Sequence, residues 1–305
     1  MGSLQKLACA MALLCGMGIA VLLTAPMVHF VGAQEARQTP PQKPAHKKIA
    51  AARKPVPMPA APKLVAENTH LPDRVTLATP LAPQALAADP ALAGTMPGAV
   101  ATRLISKVPT ALAPYFDVYL YVSKSAEGPW AQHLFFFTKN ASGTLSFDQS
   151  FPVSTGREED EQYFTATPTG LFQLDINRFE PMAYSAKWND AAMPWAMFLD
   201  YSYRTSMTGV ALHAAIGARE LSHMGHRASG GCVRLPLDRA DALFHRFQAS
   251  EKGKVPVFAS DETRGTTNTQ GAVAGDANGH IYLADGVRVL VIIEDYPGTG
   301  SAVQS

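Results

Sequence analysis

The sequence predicts a mostly β protein with a few short helices, preceded by a long stretch that cannot fold by itself. Three observations carry this. From about Tyr115 onward, short runs rich in aromatic and β-branched residues alternate with turn signals. One segment, 238–248, shows a clear apolar stripe at helical spacing. Fourteen of the 23 prolines fall between Pro40 and Pro114, and chain of that composition stays extended and buries no core. A length of 305 residues allows one large domain or two small ones. A net charge of +1 gives no global field for nucleic acid.

Taken in order, residues 1–33 read as a secretory signal peptide or an N-terminal membrane anchor. Leu7 to Leu23 is apolar and uncharged, and Val31-Gly32-Ala33 has the small residues of a cleavage site. Cys9 and Cys15 lie in that apolar run, so its removal leaves Cys232 unpaired. A lone cysteine in an exported chain is a reactive thiol or an inert buried one. The chain is therefore expected in the periplasm or cell envelope, with a membrane tether through residues 7–31 if the run is retained. Residues 34–114 read as a Pro/Ala-rich basic linker, largely disordered, with a short helix near 99–107. Between 34 and 74, eight basic residues face three acidic ones, which suits a passive spacer or a weak attraction to an anionic surface.

Residues 115–259 read as a folded, mostly β domain. Segments 116–123, 132–139, 144–155 and 169–176 read as strands. Residues 157–161, REEDE, read as a solvated loop. The stretch 187–198 carries two tryptophans and one proline and reads as an irregular packed loop, its aromatics in the core or walling a pocket. Asp238 is placed to cap a helix carrying Ala240, Leu243, Phe244 and Phe247 on one face. Residues 255–259 read as a strand. Residues 260–305 read as a polar loop followed by a hairpin turning at Asp285-Gly286.

Chemistry concentrates between Val210 and Leu235. Cys232 ends a glycine-rich turn, Ser229-Gly230-Gly231-Cys232, and His213 follows an apolar, strand-like approach. A thiol is a good nucleophile only as thiolate, so it needs a base or a positive neighbour. The glycines let the backbone bend and leave N–H groups open to a ligand oxygen. A zinc shell from His213, His223, His226 and Cys232 is the competing reading. No carboxylate-bearing metal motif accompanies it, so neither a metal nor a cofactor is expected.

His213, fifteen residues, then Ser229-Gly230-Gly231-Cys232-Val233-Arg234 resembles the signature of the L,D-transpeptidase catalytic domain family (YkuD-type). Val153-Ser154-Thr155-Gly156 and Thr167-Pro168-Thr169-Gly170 resemble that family's upstream motifs. One residue departs: the family's second histidine is Gly230 here. The resemblance implies a β-sandwich catalytic domain and a peptidoglycan L,D-transpeptidase that transfers acyl groups between stem peptides through a thioester. Cys232 would be the nucleophile and His213 its base, oriented by the backbone carbonyl of Ala214. The N–H groups of Gly231 and Cys232 would form the oxyanion hole. Ser229 would hydrogen-bond within the turn, and Arg234 would brace it or meet a substrate carboxylate. His226 is the expected occupant of the space left at Gly230. Two alternatives stay open: an L,D-carboxypeptidase or cross-link hydrolase on the same fold, and a non-catalytic wall-binding module whose site has decayed.

Overall fold

A computed structural model describes residues 75–159, 165–261 and 263–299. The expected signal or anchor and the linker up to residue 74 lie outside the described residues. The strands in chain order are β1 (Val75–Ala78), β2 (Ala87–Ala88), β3 (Val118–Ser123), β4 (His133–Lys139), β5 (Thr144–Pro152), β6 (Gly170–Ser185), β7 (Ala191–Leu199), β8 (Ser202–Tyr203), β9 (Ser206–Met207) and β10 (Ala211–Ala214). They continue with β11 (Val233–Leu235), β12 (Lys252–Pro256), β13 (Ser260–Asp261), β14 (Thr266–Thr267), β15 (Ile281–Val287) and β16 (Val289–Glu294). Among the described residues three α-helices accompany them: α1 (Met96–Ile105), α2 (Gly217–Leu221) and α3 (Leu237–Ala249). The mostly β expectation holds.

The main sheet has the order β11-β10-β7-β6-β16-β3-β4-β5-β2. Strands β3 and β16 in its middle are buried along almost their whole length, because both faces are covered. In β3, Val118, Leu120 and Val122 enter one core, and Tyr119 and Tyr121 enter the other. In β16, Val289, Val291 and Ile293 divide from Leu290 and Ile292 in the same way. Helix α3 packs Ala240, Leu243, Phe244 and Phe247 into the first core, and α1 packs Val100, Ala101 and Leu104 into the second.

Strand β6 is the long bent member. Its first residues pair with β16 and its later ones with β7, with a register shift between Leu174 and Phe179. The chain beyond β5 then reaches the far edge: Ser154 bridges Arg234 and Gly156 bridges Ser229. Hence the segment that follows β5, next to last in the strand order, meets β11, the first, beside the Ser229–Cys232 turn.

Several expectations about boundaries change. The linker expected to run to 114 is folded from Val75 onward, because α1 supplies fully buried side chains to the second core. That helix starts at Met96 rather than 99, where Thr95 Oγ1 accepts the Gly98 N–H at 3.2 Å. The stretch 187–198 holds most of β7 rather than a loop. Asp238 sits in the first turn of α3 but does not cap it, since Pro236 occupies that position. The hairpin at Asp285-Gly286 does not form. β15 pairs with β1 and β12, while β16 inserts between β6 and β3. The fold therefore does not close at 259: a central strand of the main sheet comes from the C-terminal segment.

Candidate active site

β10 and β11 run parallel, with Leu212 opposite Val233 and His213 opposite Arg234. Side chains alternate along a strand. Leu212, Ala214, Val233 and Leu235 enter the inner core, while Ala211 faces the opposite side with Cys232 packed near it. The same alternation puts His213 and Arg234 on the Cys232 face, one diagonal step along.

His213 is buried, and its Nδ1 lies 2.9 Å from the Ala214 carbonyl oxygen. A carbonyl only accepts, so Nδ1 carries the proton and donates it, and Nε2 keeps the lone pair. Burial holds this imidazole down to about 4; the Ala214 carbonyl pulls the other way and the Arg234 charge adds to the fall. Cys232 is half-buried, and its Sγ–H donates to the Gly209 carbonyl at 3.5 Å. Burial pushes the thiol up, while the Ala211 backbone and the charges of Arg234 and Lys187 oppose it. The resting site thus sets a neutral thiol beside a neutral, oriented imidazole.

The three glycine-bearing motifs converge on Thr167. Its Oγ1 accepts the Gly156 N–H at 2.8 Å and donates to the Gly231 carbonyl at 2.9 Å, all of it buried. Gly156 is required there, because a Cβ would lie 1.9 Å from the Thr165 carbonyl oxygen. Gly231 has φ +120, which a side chain rarely adopts. Ser229 Oγ donates to the Cys232 carbonyl at 2.6 Å and accepts the Gly231 N–H at 3.1 Å. The Gly231 N–H expected in the oxyanion hole is therefore committed to holding the turn. Arg234 braces: it pairs with Glu220 at 3.0 Å and its Nη1 donates to the Ala228 carbonyl at 3.4 Å.

A cavity of about 870 Å3 opens beside Cys232. Its lining includes Gly230, Trp188, Tyr184, Arg178 and Lys124. Lys124 is almost wholly buried, 2.8 Å from Glu158 Oε1 and 2.7 Å from the Thr167 carbonyl. Glu158 of the acidic run is thus a structural partner of that lysine. His226 is exposed and lies outside the cavity lining, so it does not fill the space at Gly230. Trp188 does: a Cβ on Gly230 would meet its indole at 2.5 Å. The two tryptophans of 187–198 divide, since Trp188 walls the cavity and Trp195 packs on Phe244. Among the described residues, no three His, Cys, Asp or Glu side chains converge to hold a metal ion. Thr167 was visible in the sequence as part of a motif. Trp188 carried only a composition signal, and Lys124 and Arg178 carried none.

The fold and this face together define a sheet-rich domain with a histidine on one strand and a cysteine in the turn that leads into the next, the cysteine lining an open cavity. Residues 118–267 match the model of the YkuD family, L,D-transpeptidase catalytic domain. Solved structures it resembles include the L,D-transpeptidase LdtMt1 in complex with imipenem, at 14% identity and TM-score 0.34. An L,D-transpeptidase from Mycobacterium smegmatis is similar at 14% identity and TM-score 0.31. In both pairs the likeness covers 59% of each chain. A fused Zn-dependent amidase/peptidase/peptidoglycan-binding domain-containing protein from Clostridium acetobutylicum is similar at 12% identity and TM-score 0.28, over 58% of this chain and 52% of that one. No curated protein matches.

Proposed function

We propose that this protein is a peptidoglycan L,D-transpeptidase working by cysteine acyl transfer. The observation that carries the reading is the fixed orientation of His213. Its Nδ1–H is held by the Ala214 carbonyl, so Nε2 is the basic nitrogen, on the strand beside Cys232. In the first half-reaction Nε2 takes the Cys232 proton as Sγ attacks the carbonyl carbon of the donor stem peptide. The C–S bond forms, the C–N bond to the terminal D-residue breaks, and the proton leaves on the released amine. In the second, His213 takes a proton from an acceptor stem's side-chain amine, whose nitrogen attacks the thioester. The new C–N bond forms, C–S breaks, and the thiol regains its proton. The Gly231 N–H is occupied, so the Cys232 N–H is the turn donor assigned to the developing oxyanion, a contribution of roughly 3 kcal/mol.

Arg234 acts as a brace in this reading rather than as a carboxylate receptor, in keeping with its Glu220 pair. The envelope is the place of action, with the N-terminal apolar run directing export. A fusion of the first 40 residues to a reporter active only after export tests that part. The function itself is tested by incubating the full chain with disaccharide-tetrapeptide and reading products by mass. Cross-linked dimers are expected, absent in Cys232→Ala. Trimmed monomers alone would replace the reading with a carboxypeptidase, and no product and no thiol adduct would replace it with a binding module.

A further inference from the structure

Gly230 stands where the resembled family carries a histidine, and the structure fills that space from a distant part of the chain. A Cβ built on Gly230 would lie 2.5 Å from both Cε2 and Nε1 of Trp188 and 2.8 Å from Cζ2. These are atoms of one rigid bicyclic ring. The ring cannot yield to a side chain at 230 by a small torsion, as the end of a lysine would. Trp188 closes the turn Ala186–Trp188 between β6 and β7. The next two residues, Asn189 and Asp190, have φ 53 and 52. Asn and Asp tolerate that left-handed region better than other side-chain-bearing residues, so the turn that delivers the indole is locally specified.

The indole is not a core residue. It is half-buried and lines the same cavity as Cys232 and Gly231. The Arg157 guanidinium stands 5.4 Å from its ring centroid and the Lys187 ammonium 5.6 Å. A broad apolar face held by its own turn and by flanking cations, next to a nucleophile, is a surface on which an extended acyl chain can lie. We infer that Trp188 is the positioning residue for the acyl donor, and that Trp188 and Gly230 form one size-matched unit in which the indole stands where a side chain at 230 would. This rests on the acyl-transfer reading above.

Four full-length proteins test it: the parent, Gly230→His, Trp188→Ala and the double variant, each checked for native circular dichroism. In donor turnover, Gly230→His is expected to lose about tenfold or more in kcat/KM, because a displacement of about 1 Å at a reacting centre can cost 100-fold. Trp188→Ala is expected to raise the donor KM about tenfold with kcat within about threefold, the pattern of lost uniform binding. The double variant is expected to recover most of what Gly230→His alone loses. Parent-like Gly230→His, or a double variant whose losses simply add, overturns the inference. Iodoacetamide alkylation of Cys232 is measured on the same four proteins. If the parent turns over no donor but alkylation shows the same non-additive pattern, the acyl-transfer reading falls and the size-matched pair stands. Additive alkylation rates sink the pair whatever turnover shows.

Discussion

Removing one hydroxyl, Thr167→Val, tests whether the turn that presents Cys232 is held from beneath. Thr167 is buried, and its Oγ1 is the shared partner of the Gly156 N–H at 2.8 Å and the Gly231 carbonyl at 2.9 Å. Valine keeps the shape and removes both bonds. Each buried group left unsatisfied costs about 1–3 kcal/mol. Part of that is recovered if the backbone relaxes, so the expected loss is about 2–4 kcal/mol. Against a domain stability of about 5–15 kcal/mol this is a large fraction. At the size of the described domain, Tm should fall about 2–4 °C for each kcal/mol. The assay is urea unfolding, with the midpoint lowered at unchanged slope, because the same surface is exposed. Thr167→Ser, which keeps the hydroxyl, should retain most of the stability. A loss below about 0.5 kcal/mol in the valine variant, within the range of an ordinary surface substitution, would refute the reasoning. So would a serine variant as unstable as the valine one.

Four further outcomes follow from the same structure. With burial raising the thiol and holding His213 at about 4, Cys232 should react with iodoacetamide at pH 7 no faster than free cysteine, the rate climbing only above the ordinary thiol range. A rate plateau reached between pH 4 and 7 would reveal an ion pair instead. His213 folds with its pKa depressed, so its contribution is present above about 6.5 and lost as pH falls toward 4, on the order of 3 kcal/mol; His213→Gln should flatten the unfolding free energy across that window. Asp200 has the opposite sign: burial, then Asp175, raises it to about 6, with Arg178 opposing. Its contribution is therefore present below about 4 and lost as pH rises through 6. Asp200→Asn should stabilise the protein at pH 8 by on the order of 2–3 kcal/mol and have little effect at pH 4, read by urea unfolding at both values. Finally, a fragment of residues 75–299 should fold, whereas 108–259 should not. The shorter one loses β16 from the middle of the sheet and the fully buried Val100 and Leu104 of α1, worth about 1.5–3 kcal/mol for each large side chain. Native circular dichroism of the shorter fragment would count against this account of the fold.

Short-range chemistry was legible in the sequence. The Ser229–Cys232 turn, the approach to His213 and the Thr-Gly motifs each state their geometry within a few residues, through glycine's freedom and the thiol's need for a base. The strands around Tyr119, Phe135 and Phe172 were legible for the same reason, since β-branched and aromatic content is a local property. What pairs with what was not. Asp285-Gly286 looks like a hairpin turn, yet β15 and β16 part into different sheets, because Val289, Val291 and Ile293 have a core to enter only between β6 and β3. The Pro/Ala-rich composition around α1 reads as linker, and only the second face of β3 and β4, with Tyr119 and Phe137, gives Val100 and Leu104 something to cover. The same holds inside the site. Thr167 bonds both Gly156 and Gly231, the latter 64 residues further along the chain, and the occupant of the space at Gly230 arrives from position 188 rather than from the nearby His226. Local sequence fixes the torsions a residue prefers and the chemistry it carries. Which distant side chain fills a given volume depends on strand pairing, and that is settled only when both faces of a sheet find their cover.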